Sequence, residues 1–138
     1  MDKLEIQRRI LAIVAVLMLL SAVSLIAVIP AILKDTSSGS LPLQAAGGAL
    51  IGMSIHLYLA YWFGIRLRRL RRKINKEVHI LSALGFFFLG FMILDGAYAF
   101  LDDIRFVSMG MFICAFFDFA AALVSIFALV FLRTKKKK

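Results

Sequence analysis

Four apolar runs, at about residues 10–33, 43–65, 79–101 and 106–132, alternate with short polar segments along the chain. At a rise of about 1.5 Å per residue, each run is long enough to cross about 30 Å of hydrocarbon as a helix. Four such runs predict an all-α membrane protein: a four-transmembrane-helix bundle made of two antiparallel helix pairs, in one domain over 1–138. The first run far exceeds the roughly 7–15-residue apolar stretch of a signal peptide, so it is expected to be a retained span. Gly39 and Pro42 place an outer loop between Lys34 and Gln44. Asp102 to Arg105 predict a tight outer turn joining the last two spans. Past Ile65, the spacing of Leu67, Leu70 and Ile74 predicts that the second helix continues toward Lys76 as a basic amphipathic segment.

Spacing within the runs points to packing faces. Gly48, Gly52, His56, Ala60 and Gly64 recur at steps of four, and small residues so spaced let two helix backbones approach closely. A four-residue step drifts around an ideal helix, so Gly48, Gly52 and His56 form the most coherent part. In the fourth run Ser108, Met111, Ala115, Asp118, Ala122, Ser125 and Leu129 alternate steps of three and four, a heptad-like seam. The third run is rich in Phe, with Gly85, Met92, Gly96 and Ala99 near one face. In the first run Ser21 and Ser24 can bond to their own helix backbone, and no chemistry is expected there. The first and third spans are therefore expected to face lipid or a partner.

Charge orients the bundle. All but two of the seventeen Lys and Arg residues lie at the N-terminus, between the second and third runs, or in the C-terminal tail. The exceptions are Lys34 and Arg105, so the positive-inside bias predicts both termini on the cytoplasmic side, N-in and C-in. In the basic loop at 66–78, Arg66, Arg68, Arg69, Arg71, Arg72, Lys73 and Lys76 are expected to meet anionic lipid headgroups. A chain that is 62% hydrophobic, with a mean hydropathy of +0.93, is not an ordinary soluble domain. The net charge of +9 is thus assigned to the membrane surface and not to nucleic acid. The expected location is the cell (inner) membrane, or the ER membrane in a eukaryote, where Lys135 to Lys138 would resemble a dilysine retrieval signal.

Three ionisable residues lie within the apolar runs: His56, Asp95 and Asp118. A carboxylate at the centre of a spanning helix costs about 2.5–3.5 kcal/mol on insertion scales, so it is expected to be paired, protonated or facing water. His56 and Asp118 are near their span midpoints, at heights agreeing to about 5 Å, whereas Asp95 lies about 9 Å below the outer end of its span. Facing small-residue stripes would let His56 and Asp118 share a hydrogen bond, either fixing helix register or passing protons.

No catalytic or cofactor motif accompanies them. His56 is central and His79 peripheral, so the two cannot hold one haem, and two histidines with the single Cys114 disfavour a structural zinc site. The stretch Asp95 to Asp103 (DGAYAFLDD) resembles the aspartate-rich signature of CDP-alcohol phosphotransferases. Here Met92 replaces the preceding Asp, Phe100 replaces the Arg, and the later aspartates are missing, so the metal and pyrophosphate set is incomplete. The sequence therefore predicts a non-enzymatic scaffold or accessory subunit without cofactors, in a homo-oligomer or with other membrane subunits. The alternative is a proton- or ion-coupled channel or transporter centred on His56 and Asp118, with Asp95 nearer the outer mouth.

Overall fold

A computed structural model describes residues 3–34, 41–67, 76–99 and 105–133. They form α1 (Lys3–Lys34), α2 (Leu41–Tyr61) running into a π-helical turn (Trp62–Leu67), α3 (Lys76–Ala99) and α4 (Arg105–Arg133). All four helices are long and apolar enough to cross a membrane. The expected loop around Pro42 is shorter than its breakers suggested, because α2 begins at Leu41. Proline costs little in a first helical turn, where the missing N–H has no intrahelical acceptor anyway. The basic residues 68–73, Leu70, Ile74 and the turn at 102–104 lie outside the described residues.

The helices are ordered α2–α1–α4–α3 across the bundle, and α2 and α3 do not pack backbone to backbone among the described residues. α1 is therefore an inner helix, not the lipid- or partner-facing span its plain sequence suggested. It buries Leu11, Val14, Met18, Ser21, Leu25, Val28 and Ile32, a three-and-four alternation down one face. Against it α4 sets Cys114, Ala115, Asp118, Ala121, Ala122, Ser125 and Ala128, nearly all small. Small side chains let the two axes come close, the geometry that dispersion favours where lipid supplies no hydrophobic drive. At Gly110 the fit is tight enough that an added Cβ would collide with the Val28 side chain.

α3 packs along α4 and buries His79, Ala83, Phe86, Gly90, Ile93 and Ala97, again stepping by three and four. The face expected from Gly85, Met92, Gly96 and Ala99 is a different one. Gly85, Met92 and Ala99 are exposed, and only Gly96 closes on α4, under the Met111 methyl. Between α2 and α3 runs an apolar cleft of about 530 Å³ flanked by Ile55, Leu59, Leu81 and Leu89. Its floor is bridged by the Phe63 and Phe86 rings, whose centroids are 5.6 Å apart.

Candidate functional site

The π-helical turn ends the drift of the α2 stripe. On an ideal helix, two four-residue steps rotate Gly48 about 80° away from His56. Gly48 is indeed exposed, and an added Cβ there would meet nothing within 4 Å. A π turn advances less rotation per residue and so reverses part of this drift. Gly64 is thereby held against Ala15, with 3.1 Å between an added Cβ and the Ala15 methyl. Gly52 approaches Leu25 in the same way, at 3.2 Å, and Ala60 is buried. The stripe thus faces α1, not α4.

His56 nevertheless reaches α4. Its Nδ1 lies 2.6 Å from the Gly52 carbonyl oxygen one turn earlier. A carbonyl only accepts, so Nδ1 carries a proton and donates it. That bond turns Nε2 toward α4, 2.9 Å from Asp118 Oδ1 and 3.2 Å from Oδ2. From α1, the Ser21 hydroxyl donates to Asp118 Oδ1 at 3.1 Å and lies 3.4 Å from the Cys114 carbonyl oxygen. Cys114, one turn before Asp118 on the same face, sets its Sγ 3.9 Å from His56 Nε2.

All four residues are 0% exposed. Low dielectric strengthens each of these bonds and would penalise any group left without a partner. None is left: among the described residues no buried side-chain nitrogen or oxygen lacks a hydrogen bond. Chemically, the arrangement ties three helices at one height, holds one proton between an imidazole and a carboxylate, and gathers N, O and S donors.

A second buried polar contact lies elsewhere. Gln7 of α1 and His79 of α3 meet at 3.4 Å between Nε2 atoms. Gln7 is fourteen residues before Ser21, or about 21 Å along α1, so this pair is separate from the cluster. His79 is buried in the first turn of α3.

Of the three ionisable residues singled out in the sequence, His56 and Asp118 come together and Asp95 does not. Asp95 lies midway between Ile93 and Ala97, which both face α4, so its own side points outward and is exposed. Arg66 and Lys76 are exposed, and the Arg66 guanidinium stacks 4.6 Å from the Trp62 ring centroid. Ala115, Ala122 and Ser125 are buried on the α1-facing side of α4, where the Ser125 hydroxyl caps the Ala121 carbonyl at 2.9 Å.

Sequence reasoning missed Ser21, Cys114 and Gln7. Ser21 shares the three-and-four phase of Leu11, Val14, Met18 and Leu25, whereas Ser24 is off it and bonds to the Leu20 carbonyl. Phase was the signal that separates them. The chain matches no protein-family model, no curated protein and no solved structure.

Proposed function

We propose that this chain is a four-span membrane protein with both termini cytoplasmic, and that it acts as a non-enzymatic scaffold or accessory subunit of an oligomeric membrane assembly. The observation that carries this reading is the sealed cluster. Ser21, His56 and Asp118 satisfy one another in full burial, which fastens α1, α2 and α4 in register and offers no polar atom to a substrate. Two clefts beside α2 are lined by aliphatic and aromatic side chains and a serine each, and neither of these includes a member of the cluster. Large apolar side chains such as Phe88, Phe116 and Phe127 remain more than 60% exposed, a surface suited to lipid and to neighbouring subunits. Arg66 and Lys76, at the ends of the segment joining α2 to α3, are exposed, which suits contact with anionic headgroups.

Proton- or ion-coupled transport is the second reading, favoured by the 2.9 Å contact between His56 and Asp118 across two helices. Flux measurements in proteoliposomes separate the two. The scaffold reading predicts no proton or ion flux at any pH, for the wild type and Asp118→Asn alike. Proton flux in the wild type that Asp118→Asn abolishes would replace it with the transport reading. Orientation has its own check: cysteines placed at Ser38 and Lys76 are expected to react from opposite sides of a sealed vesicle. Labelling of both from one side would overturn the four-span topology.

A further inference from the structure

We propose that the buried cluster is a binding site for one divalent transition-metal ion of the zinc class, held by His56 Nε2, Cys114 Sγ and a carboxylate oxygen of Asp118. The proposal rests on the reading of this cluster as the fastening of the bundle, and it adds what closes the fastening.

Geometry comes first. The three donor atoms lie within 4.8 Å of one another, on residues that are all fully buried. Tetrahedral zinc, with bonds of about 2.0–2.3 Å, would separate its N and O ligands by about 3.3 Å and its N and S ligands by about 3.6 Å. Here Nε2 is 2.9 and 3.2 Å from the two carboxylate oxygens and 3.9 Å from the sulfur. These distances from Nε2 thus lie within about 0.4 Å of tetrahedral values, and the sulfur and carboxylate oxygen lie within 4.8 Å of each other.

The surroundings of the donors supply a second observation. Metal-binding histidines characteristically donate their other ring N–H to a carbonyl or carboxylate, which fixes tautomer and ring plane. His56 does so through Nδ1 to the Gly52 carbonyl at 2.6 Å, leaving Nε2 aimed at Asp118 and Cys114. Asp118 is oriented in turn by the Ser21 hydroxyl, which donates to its Oδ1 at 3.1 Å. The thiol and the carboxylate thus approach the same ring nitrogen, as ligands of one ion would.

Charge makes the third argument. A neutral imidazole, a thiolate and a carboxylate together carry two negative charges, which a divalent cation cancels. In a buried site this electroneutrality removes most of the penalty for holding a charge away from water. When the ion enters, the Cys114 thiol proton and the proton shared by His56 and Asp118 leave to solvent, so net charge is unchanged. One thiolate and one imidazole among three protein donors select zinc-class ions over magnesium or calcium. Counting histidines and cysteines missed this set because its third member is an aspartate one turn from the cysteine.

The test uses the full chain, with any purification tag removed, expressed in cobalt-supplemented medium and purified in detergent. Stoichiometric cobalt and a thiolate-to-cobalt charge-transfer absorption in the near ultraviolet are expected, both lost in Cys114→Ser. In Ser21→Ala the absorption should persist with affinity weakened about 10–100-fold. Cys114 is the sole thiol, so the wild-type spectrum decides the matter even if a variant does not fold. Folded wild type without that absorption overturns the metal site, as does cobalt content that Cys114→Ser leaves unchanged. Either result leaves the flux experiment free to judge the scaffold reading on its own.

Discussion

Asp118→Ala is expected to cost about 3–5 kcal/mol of bundle stability, the largest loss from any single side-chain truncation in the cluster. The carboxylate accepts from Ser21 on α1 and shares a proton with His56 on α2, at 3.1 and 2.9 Å. Alanine leaves His56 Nε2 buried without an oxygen partner and the Ser21 hydroxyl with only its 3.4 Å contact to the Cys114 carbonyl, and that desolvation outweighs the few lost contacts of the side chain itself. Asparagine keeps an acceptor at the same place, so Asp118→Asn should lose only about 1–2 kcal/mol, the upper range for interhelical hydrogen bonds within bilayers. Replacing both His56 and Asp118 by leucine should recover much of the alanine loss, because the imidazole is then gone and the Ser21 hydroxyl keeps the Cys114 carbonyl at 3.4 Å. Reversible unfolding in detergent, followed by helical circular dichroism, ranks the three variants. Equal stability for Asp118→Ala and wild type would show that the cluster does not fasten the helices.

Gly110→Ala should also destabilise, by about 1–3 kcal/mol, through overpacking of the α1–α4 crossing. Its new methyl would collide with the Val28 side chain and come to 3.5 Å from the Ser24 carbonyl oxygen. Val28 cannot swing aside cheaply, because a β-branched residue in a helix has one strongly preferred rotamer. The helices would have to part about 10–12 Å along the bundle from the Ser21–Asp118 bond, on the same α1–α4 interface. Two other glycines give the contrast. In Gly96→Ala the new methyl meets the terminal methyl of Met111 at 2.6 Å, and that flexible thioether can move. Gly48→Ala meets nothing within 4 Å and should be neutral or stabilising by up to about 1 kcal/mol, since alanine is the better helix former. The same unfolding measurement places Gly110 lowest of the three; a ranking with Gly48 lowest would contradict the packing described here.

The number and rough extent of the four helices were legible in the apolar runs, because a stretch of some twenty uncharged residues has few other folds. The encounter of His56 with Asp118 was legible from depth; the small-residue stripes did not bring it about, because the α2 stripe faces α1 and only the His56 side chain reaches α4. Which helices lie side by side was not. α1 appeared featureless because its packing face is built from Leu, Val and Met, the residues that would also face lipid, so composition does not separate inside from outside. Only the phase of Ser21 against Leu11, Met18 and Leu25 distinguishes it from Ser24. The α3 face was misread for a related reason. Gly85 and Gly96 drew attention as small residues, yet the packing row runs through Ala83, Gly90 and Ala97, and Gly85 borders the open cleft. The π turn at Trp62–Leu67 leaves no mark in hydrophobic spacing, although it returns Gly64 to α1.

Direct contact between His56 Nε2 and the Asp118 carboxyl inside a lipid bilayer is what everything else depends on. Solid-state NMR can measure it as the dipolar coupling between ¹⁵N-labelled histidine and the ¹³C-labelled aspartate side-chain carbon in reconstituted vesicles. A distance below about 4 Å is predicted, consistent with a hydrogen-bonded pair, and the signal should vanish in Asp118→Asn prepared with the same labels. A wild-type spectrum with no nitrogen–carboxyl coupling would mean that α2 and α4 do not meet through these side chains, and the account would fail at its centre.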